Sequence, residues 1–166
     1  MSGTQWIKKR RSHRTYRSDV PAEDVIRDIL DCGRLAPTAR NVQPWLLGAV
    51  TDEAVRRDIA RLAEYGRFIA DAPVCFAVFV RADEKYFMED GCAATMNIIM
   101  AATVHGLGTC WVAGHKKDYG EEVRRLLGVP KGYTLISLIA AGYSDDRPSP
   151  KKKPLEEVTF RDRCGS

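Results

Sequence analysis

The run "CAATMNIIMAATV" at 92–104 limits the fold more than any other stretch of this chain. It reads as the second half of a long helix spanning roughly 84–105. Apolar side chains surround that half almost completely, and a helix of that kind is buried on every side. The chain has 166 residues, which suggests a single domain over 1–166. A domain this small has difficulty enclosing such a helix alone, so the run points to burial against a second subunit. Gly106 and Gly108 supply the stop that follows.

The other elements arrange themselves around this helix. Residues 4–11 suit a short helix ending in basic residues. Residues 21–35 suit an amphipathic one, with Pro21 at its start, Glu23 and Asp24 in its first turn, and Val25, Ile29 and Cys32 along one face. Pro37 ends it. "WLLGAV" at 45–50 reads as a strand, and 52–63 as a helix with Val55, Ile59 and Leu62 inward. "APVCFAVFV" at 72–80 is apolar on both faces, as a central strand must be. Residues 109–114 and 133–142 read as further strands, with a short helix at 118–127 between them. The tail from 144 on is polar, Pro-rich and extended. Strands alternating with helices after two leading helices indicate a layered fold of mixed α and β structure.

Composition excludes several classes. Hydrophobic residues make up 45% of the chain and charged ones 29%, a globular balance rather than a disordered one. No apolar run reaches the roughly 18–20 residues of a membrane helix. "MSGTQWIKKRRSHR" has no apolar stretch behind its basic residues, unlike a secretory leader, so the cytoplasm is the expected location. The five cysteines, Cys32, Cys75, Cys92, Cys110 and Cys164, are odd in number and contain no CxxC pair. Neither a zinc site nor a disulfide framework is indicated. Cys75, Cys92 and Cys110 sit in apolar runs and are expected in the core.

The net charge of +4 is unevenly spread. Lys8, Lys9, Arg10, Arg11, Arg14 and Arg17 form one cluster, and Lys151, Lys152 and Lys153 another. Without these nine, 17 basic residues stand against 22 acidic ones. A nucleic-acid surface needs basic residues spread along a face. Two local clusters suit either a small anion such as a phosphate or plain solvated charge runs.

"LAPTARNVQPW" at 35–45 carries no helical or strand period. Its prolines enclose Thr38, Arg40, Asn41 and Gln43, a dense set of donors and acceptors on a stiffened loop. Either the loop satisfies itself as a turn, or it presents those groups to a ligand.

Four stretches together resemble the nitroreductase-like flavoproteins, in their compact branch. They are "KKRRSHRTY" at 8–16, "APTARNVQPW" at 36–45, "DGCAATMNIIMAATVHGLGTCWV" at 90–112 and "LLGVPKGYTLISLIAAGYSDDRPSPKKKPLEEV" at 126–158. They cover nearly the whole chain in the family's order. The resemblance implies an α+β fold with a central mixed, mainly antiparallel sheet flanked by helices. It also implies a domain-interlocked homodimer holding two FMN molecules at its interface. The implied reaction is ping-pong: NADH or NADPH reduces the flavin, which then reduces a small acceptor such as a nitroaromatic or quinone. Neither a membrane nor a nucleic acid is an expected partner.

The resemblance also distributes roles. Arg10 and Ser12 fall at the phosphate, for which a guanidinium fork is suited, and Arg11 beside them is a further cofactor-binding candidate. Arg14 falls at the ribityl chain or the N1–C2=O edge, where positive charge stabilises the anionic reduced ring. Lys151 or Lys152 completes the phosphate site, with Lys153 an alternative, where the family usually has Arg. Pro37, Thr38, Asn41 and Gln43 approach a flavin bound mainly by the other subunit. Val112, Ala113 and Gly114 offer main-chain N–H groups to N5 and O4. Hydride transfer at N5 needs positioning more than proton chemistry, so no general acid or base is assigned, and no metal. The same motifs would serve a reductive dehalogenase, for which Glu64, Tyr65 and Arg67 are the available lid residues, or a non-catalytic flavin-binding redox module.

Overall fold

The computed structural model describes residues 3–164; Met1 and Ser2 of the leading segment, and Gly165 and Ser166, lie outside the described residues. The chain runs α1 (Gly3–Lys9), α2 (Glu23–Arg34), β1 (Trp45–Val50), α3 (Glu53–Leu62), β2 (Val74–Arg81), α4 (Phe87–Val104), β3 (Gly108–Ala113), α5 (Gly120–Leu126) and β4 (Tyr133–Gly142). Short 3-10 segments occupy Ala39–Asn41, Glu64–Ile69 and Leu155–Glu157.

The sheet order is β1-β2-β4-β3, and every ladder is antiparallel. The expected mixed character is confined to one isolated parallel bridge, Ser12 to Thr109. The central strand behaves as its sequence requires. Val74, Phe76, Val78 and Val80 face α2 and α4, while Cys75, Ala77 and Phe79 face α3, the 64–69 segment and α5. The side-chain period of two thus feeds two cores from one strand.

Some helical faces are offset from the sequence reading. α2 starts after Pro21, at Glu23, and buries Ile26, Ile29 and Gly33 rather than Val25, Ile29 and Cys32. α3 is capped by Asp52, whose carboxylate accepts from the Val55 N–H at 3.0 Å. It buries Arg56, Ile59 and Ala60. Arg56 is inside because its guanidinium donates to the carbonyls of Ala70 (3.0 Å) and Ala72, which ties α3 to the end of the 64–69 segment.

α4 is only partly enclosed by its own chain. Ala94, Thr95, Ile98, Ile99, Ala101 and Ala102 are buried. On the far side Met96 remains 40% exposed and Val104 51%. The helix ends where φ reaches +80° at Gly106, a conformation glycine adopts without steric cost. His105 at the cap sits with Nε2 2.7 Å from an Asp28 carboxylate oxygen of α2, so it joins two helices.

Candidate functional site

The basic segment after α1 is fixed to the β3 edge of the sheet. The His13 N–H donates to the Thr109 carbonyl (2.9 Å) and the Arg17 N–H to that of Tyr143 (2.9 Å). Gly108 permits this docking, since a Cβ there would lie 2.7 Å from the His13 ring carbon Cγ. His13 Nδ1 is 3.2 Å from the Ser144 hydroxyl. Burial holds the His13 imidazole below its usual pKa, with Asp146 pulling upward and Arg147 and Arg10 pushing down.

Tyr16 clamps the same segment, its hydroxyl donating to the carbonyls of His13 (2.5 Å) and, at 3.3 Å, Ala140. Burial pushes the phenol pKa well above its ordinary 10, and nearby Cys110 and Cys75 add to the rise. In the unfolded chain Tyr16 ionises near pH 10, while the native state keeps its proton. The contribution is therefore complete below pH 10 and is lost as pH climbs above it. Tyr16→Phe should cost about 1–3 kcal/mol at neutral pH, and the cost should shrink above pH 10. Urea midpoints of both proteins at pH 7 and pH 10.5 measure this; parallel curves at the two pH values would contradict it.

The three arginines differ in what they already hold. Arg11, two residues past the end of α1, donates through Nη1 to the Lys8 (2.6 Å) and Arg10 (2.8 Å) carbonyls, so one of its nitrogens is engaged there. Arg10 is partly buried, and Arg14 lies 5.9 Å above the Phe68 ring. Among the described residues no carboxylate pairs with either. Ser12 is held in the parallel bridge.

The free edge of β3 presents selected backbone groups. The Gly114 N–H donates to the Ile136 carbonyl at 2.9 Å, and that of His115 to the same oxygen at 3.3 Å. The Thr109 carbonyl points outward to His13, and the Ala113 carbonyl outward to the Tyr119 hydroxyl. In an antiparallel pair, residues alternate between facing the partner and facing away. Thr109, Trp111 and Ala113 therefore face outward, whereas Val112 and Gly114 face β4. The donors left on the open edge are those of Trp111 and Ala113; the Gly114 N–H is spent within the sheet.

A cavity of about 270 Å³ opens at this edge, lined by Arg14, Tyr65, Phe68, Cys110, Trp111, Val112, Ala113, Lys117 and Tyr119. Of the residues picked out in the sequence it gathers Arg14, the strand end Trp111–Ala113 and, from the dehalogenase alternative, Tyr65. The sequence carries no such pointer to Phe68, Lys117 or Tyr119. Tyr65 and Phe68 lie on either side of Gly66 (φ −116°), which interrupts the 3-10 segment Glu64–Ile69, so no period in the sequence pairs them.

The 36–45 loop sits elsewhere. Thr38 accepts the Gln43 N–H at 3.1 Å, the Gln43 side-chain amide donates to the Asn41 carbonyl at 3.3 Å, and the Ala39 N–H donates to the buried Asp90 carboxylate at 3.2 Å. Arg40, Asn41 and Gln43 all have positive φ (+55°, +58° and +52°). Such backbone costs on the order of 1–3 kcal/mol per residue when the side chain is not glycine, least for Asn. Pro37 and Asn41 are exposed. The loop therefore closes on Thr38 but leaves the Asn41 side chain turned to solvent. Lys151, Lys152 and Lys153 are exposed on the tail, which leaves the body beside His13 at Ser144.

These parts fit a planar, anionic ligand: two arginines without carboxylate partners, outward N–H donors at Trp111 and Ala113, and aromatic walls. Among the described residues no helix is long and apolar enough to cross a membrane.

Comparison with known proteins gives a consistent result. The model of the nitroreductase family matches residues 7–65 and 61–143. A protein of Archaeoglobus fulgidus named "Putative NADH dehydrogenase/NAD(P)H nitroreductase" is 31% identical over 148 residues, 84% of each chain. The iodotyrosine deiodinase of Thermotoga neapolitana is 29% identical over 180 residues, covering 93% of this chain and 94% of that protein. Among solved structures, an FMN-dependent nitroreductase of Clostridium difficile R20291 superposes with a TM-score of 0.89 at 25% identity, covering 98% of this chain and all of that one (100%).

Proposed function

Because the chain belongs to the nitroreductase family of NAD(P)H/FMN oxidoreductases, we propose that it binds FMN and carries electrons from NADH or NADPH to a small acceptor such as a nitroaromatic or quinone, in ping-pong fashion. FMN, when bound, supplies the two-electron relay. The observation that carries the reading is the free edge of β3. Its outward donors at Trp111 and Ala113 adjoin Arg14, and its start adjoins Ser12. Arg10 and Ser12 hold the phosphate, with Lys151 or Lys152 reaching it from the tail. Arg14 sets positive charge beside the ring, and Ala113 offers an N–H to its polar edge. Pro37, Thr38, Asn41 and Gln43 serve a flavin bound mainly by a second copy.

A homodimer is part of this proposal. The half-exposed side of α4, with Met96 and Val104, is apolar surface that a second copy would cover. The tail supports interlocking: Leu155 and Phe160 are 67% and 68% exposed in the single chain. Against the dehalogenase alternative, of Glu64, Tyr65 and Arg67 only Tyr65 lines the cavity.

Two measurements test the proposal. Heat-released cofactor should have the mass of FMN; FAD, or no flavin after reconstitution, would refute it. Anaerobic NADH or NADPH should bleach the bound flavin; failure with both would leave a non-catalytic redox module.

A further inference from the structure

Beyond the end of β3 the chain turns sharply. Lys116 has φ of +57°, backbone that side-chain-bearing residues rarely adopt. The turn is closed by the Lys117 N–H on the Gly114 carbonyl (3.3 Å) and the Gly120 N–H on that of Lys117 (3.0 Å). Lys117 joins the cavity lining, where no carboxylate is present. Among the described residues it forms no ion pair.

Its position separates it from the phosphate end. On the reading above, the phosphate lies by Ser12, level with Thr109. Ala113 is four positions further along β3, roughly 13 Å, and Lys117 lies past it. The charge of Lys117 therefore serves something other than the flavin phosphate. The walls around it are Tyr65, Phe68, Trp111 and Tyr119, surfaces on which a flat ring stacks.

We propose that Lys117 determines acceptor specificity, favouring planar aromatic acceptors that carry an anionic group such as a carboxylate. The inference rests on the FMN reading and deepens it. A nucleotide diphosphate is the other anion that Lys117 could attract. Beyond Arg14, which the flavin ring takes on this reading, Lys117 is the one cation in the cavity lining, and a single charge matches a carboxylate rather than a diphosphate.

The test uses FMN-loaded protein and the pair 4-nitrobenzoate and 4-nitrobenzamide. Each nitro group takes two electrons and two protons to give a nitroso group and one water. NAD(P)H supplies the hydride and solvent the second proton. Lys117→Gln should raise KM for the carboxylate about fivefold, the effect of one largely exposed charge pair, and leave that for the amide unchanged. Lys117→Arg should retain the preference. Equilibrium dialysis with benzoate, which accepts no electrons, should show the same fold loss in affinity. High salt should narrow the gap between the two acceptors.

Equal effects of Lys117→Gln on both acceptors, or none, would overturn the proposal. So would a raised KM for NADH or NADPH, or weaker FMN binding, since Lys117 would then serve the nucleotide or the flavin. A protein that takes up no FMN would defeat the parent reading and this one together; an FMN-loaded protein that binds benzoate and benzamide alike would defeat this one alone.

Discussion

Mixing two inactive variants should restore about a quarter of the active sites. One variant carries Arg10→Ala and Ser12→Ala, the other Asn41→Ala and Gln43→Ala. The sheet register motivates the experiment. Trp45, just after the loop, pairs with Val80, which pairs with Thr134. Ser12 bridges Thr109, which pairs with Ala141. β1 and β3 are opposite edges of the four strands, about 14 Å apart, and the seven positions from Thr134 to Ala141 add about 23 Å along the strands. The two segments also lie on different faces. Ala39 is held by Asp90 of α4, while Arg14 lies over Phe68 on the other side of the sheet. Within one chain, Arg10–Ser12 and Asn41–Gln43 occupy opposite corners, too far apart to hold one flavin together. If both serve FMN, they serve it from different chains.

Two-fold symmetry then fixes the expected yield. Each parent homodimer has two damaged sites. A mixed dimer has one site with both segments damaged and one with an intact Arg10–Ser12 from one chain and an intact Asn41–Gln43 from the other. Random pairing makes about half the dimers mixed, hence about a quarter of sites intact. Refolding the variants together and assaying flavin reduction by NADH or NADPH gives the answer. Demonstrated subunit exchange with no return of activity would rule out a shared site.

What the sequence made legible follows from the range of the forces involved. β4 was read over its observed span, 133–142, because an apolar run between turn residues is a local signal. The central position of β2 was readable for the same reason. The 64–69 segment was not, since a 3-10 stretch with Gly66 at φ −116° leaves no sustained period. Burial of Arg56 could not be foreseen, because its partners at Ala70 and Ala72 are set by tertiary packing. That the Gly114 N–H is spent follows from strand register: one step past Ala113 and Ser137, the β3–β4 ladder sets Gly114 opposite Ile136, whose carbonyl takes it. Register between distant strands carries no local sequence mark. The family resemblance pointed to Arg14 and Ala113, which line the cavity, whereas Lys117 reaches it through a turn with Lys116 at φ +57° that the motifs do not reveal.

Replacing Arg14 by Ala should lower the midpoint potential of the bound flavin. The Arg14 guanidinium lines the cavity and stacks over Phe68 without a carboxylate partner among the described residues. Its charge is thus available to a ligand. Reduction of FMN at neutral pH places negative charge on the ring, and a cation beside the N1–C2=O edge stabilises that form over the oxidised one. A hydrogen bond to a charged group contributes about 1.5–3 kcal/mol. For a two-electron couple that corresponds to roughly 30–65 mV. Arg14 is exposed, and solvent screening places the expected drop near the lower end, about 30 mV. Arg14→Lys keeps the charge without the planar fork and should fall between Ala and the parent. The potentials are read from FMN-loaded proteins titrated anaerobically against a reference dye, so differences in flavin affinity do not enter. Equal potentials for the parent and Arg14→Ala would remove Arg14 from the ring and return it to the phosphate or to the surface.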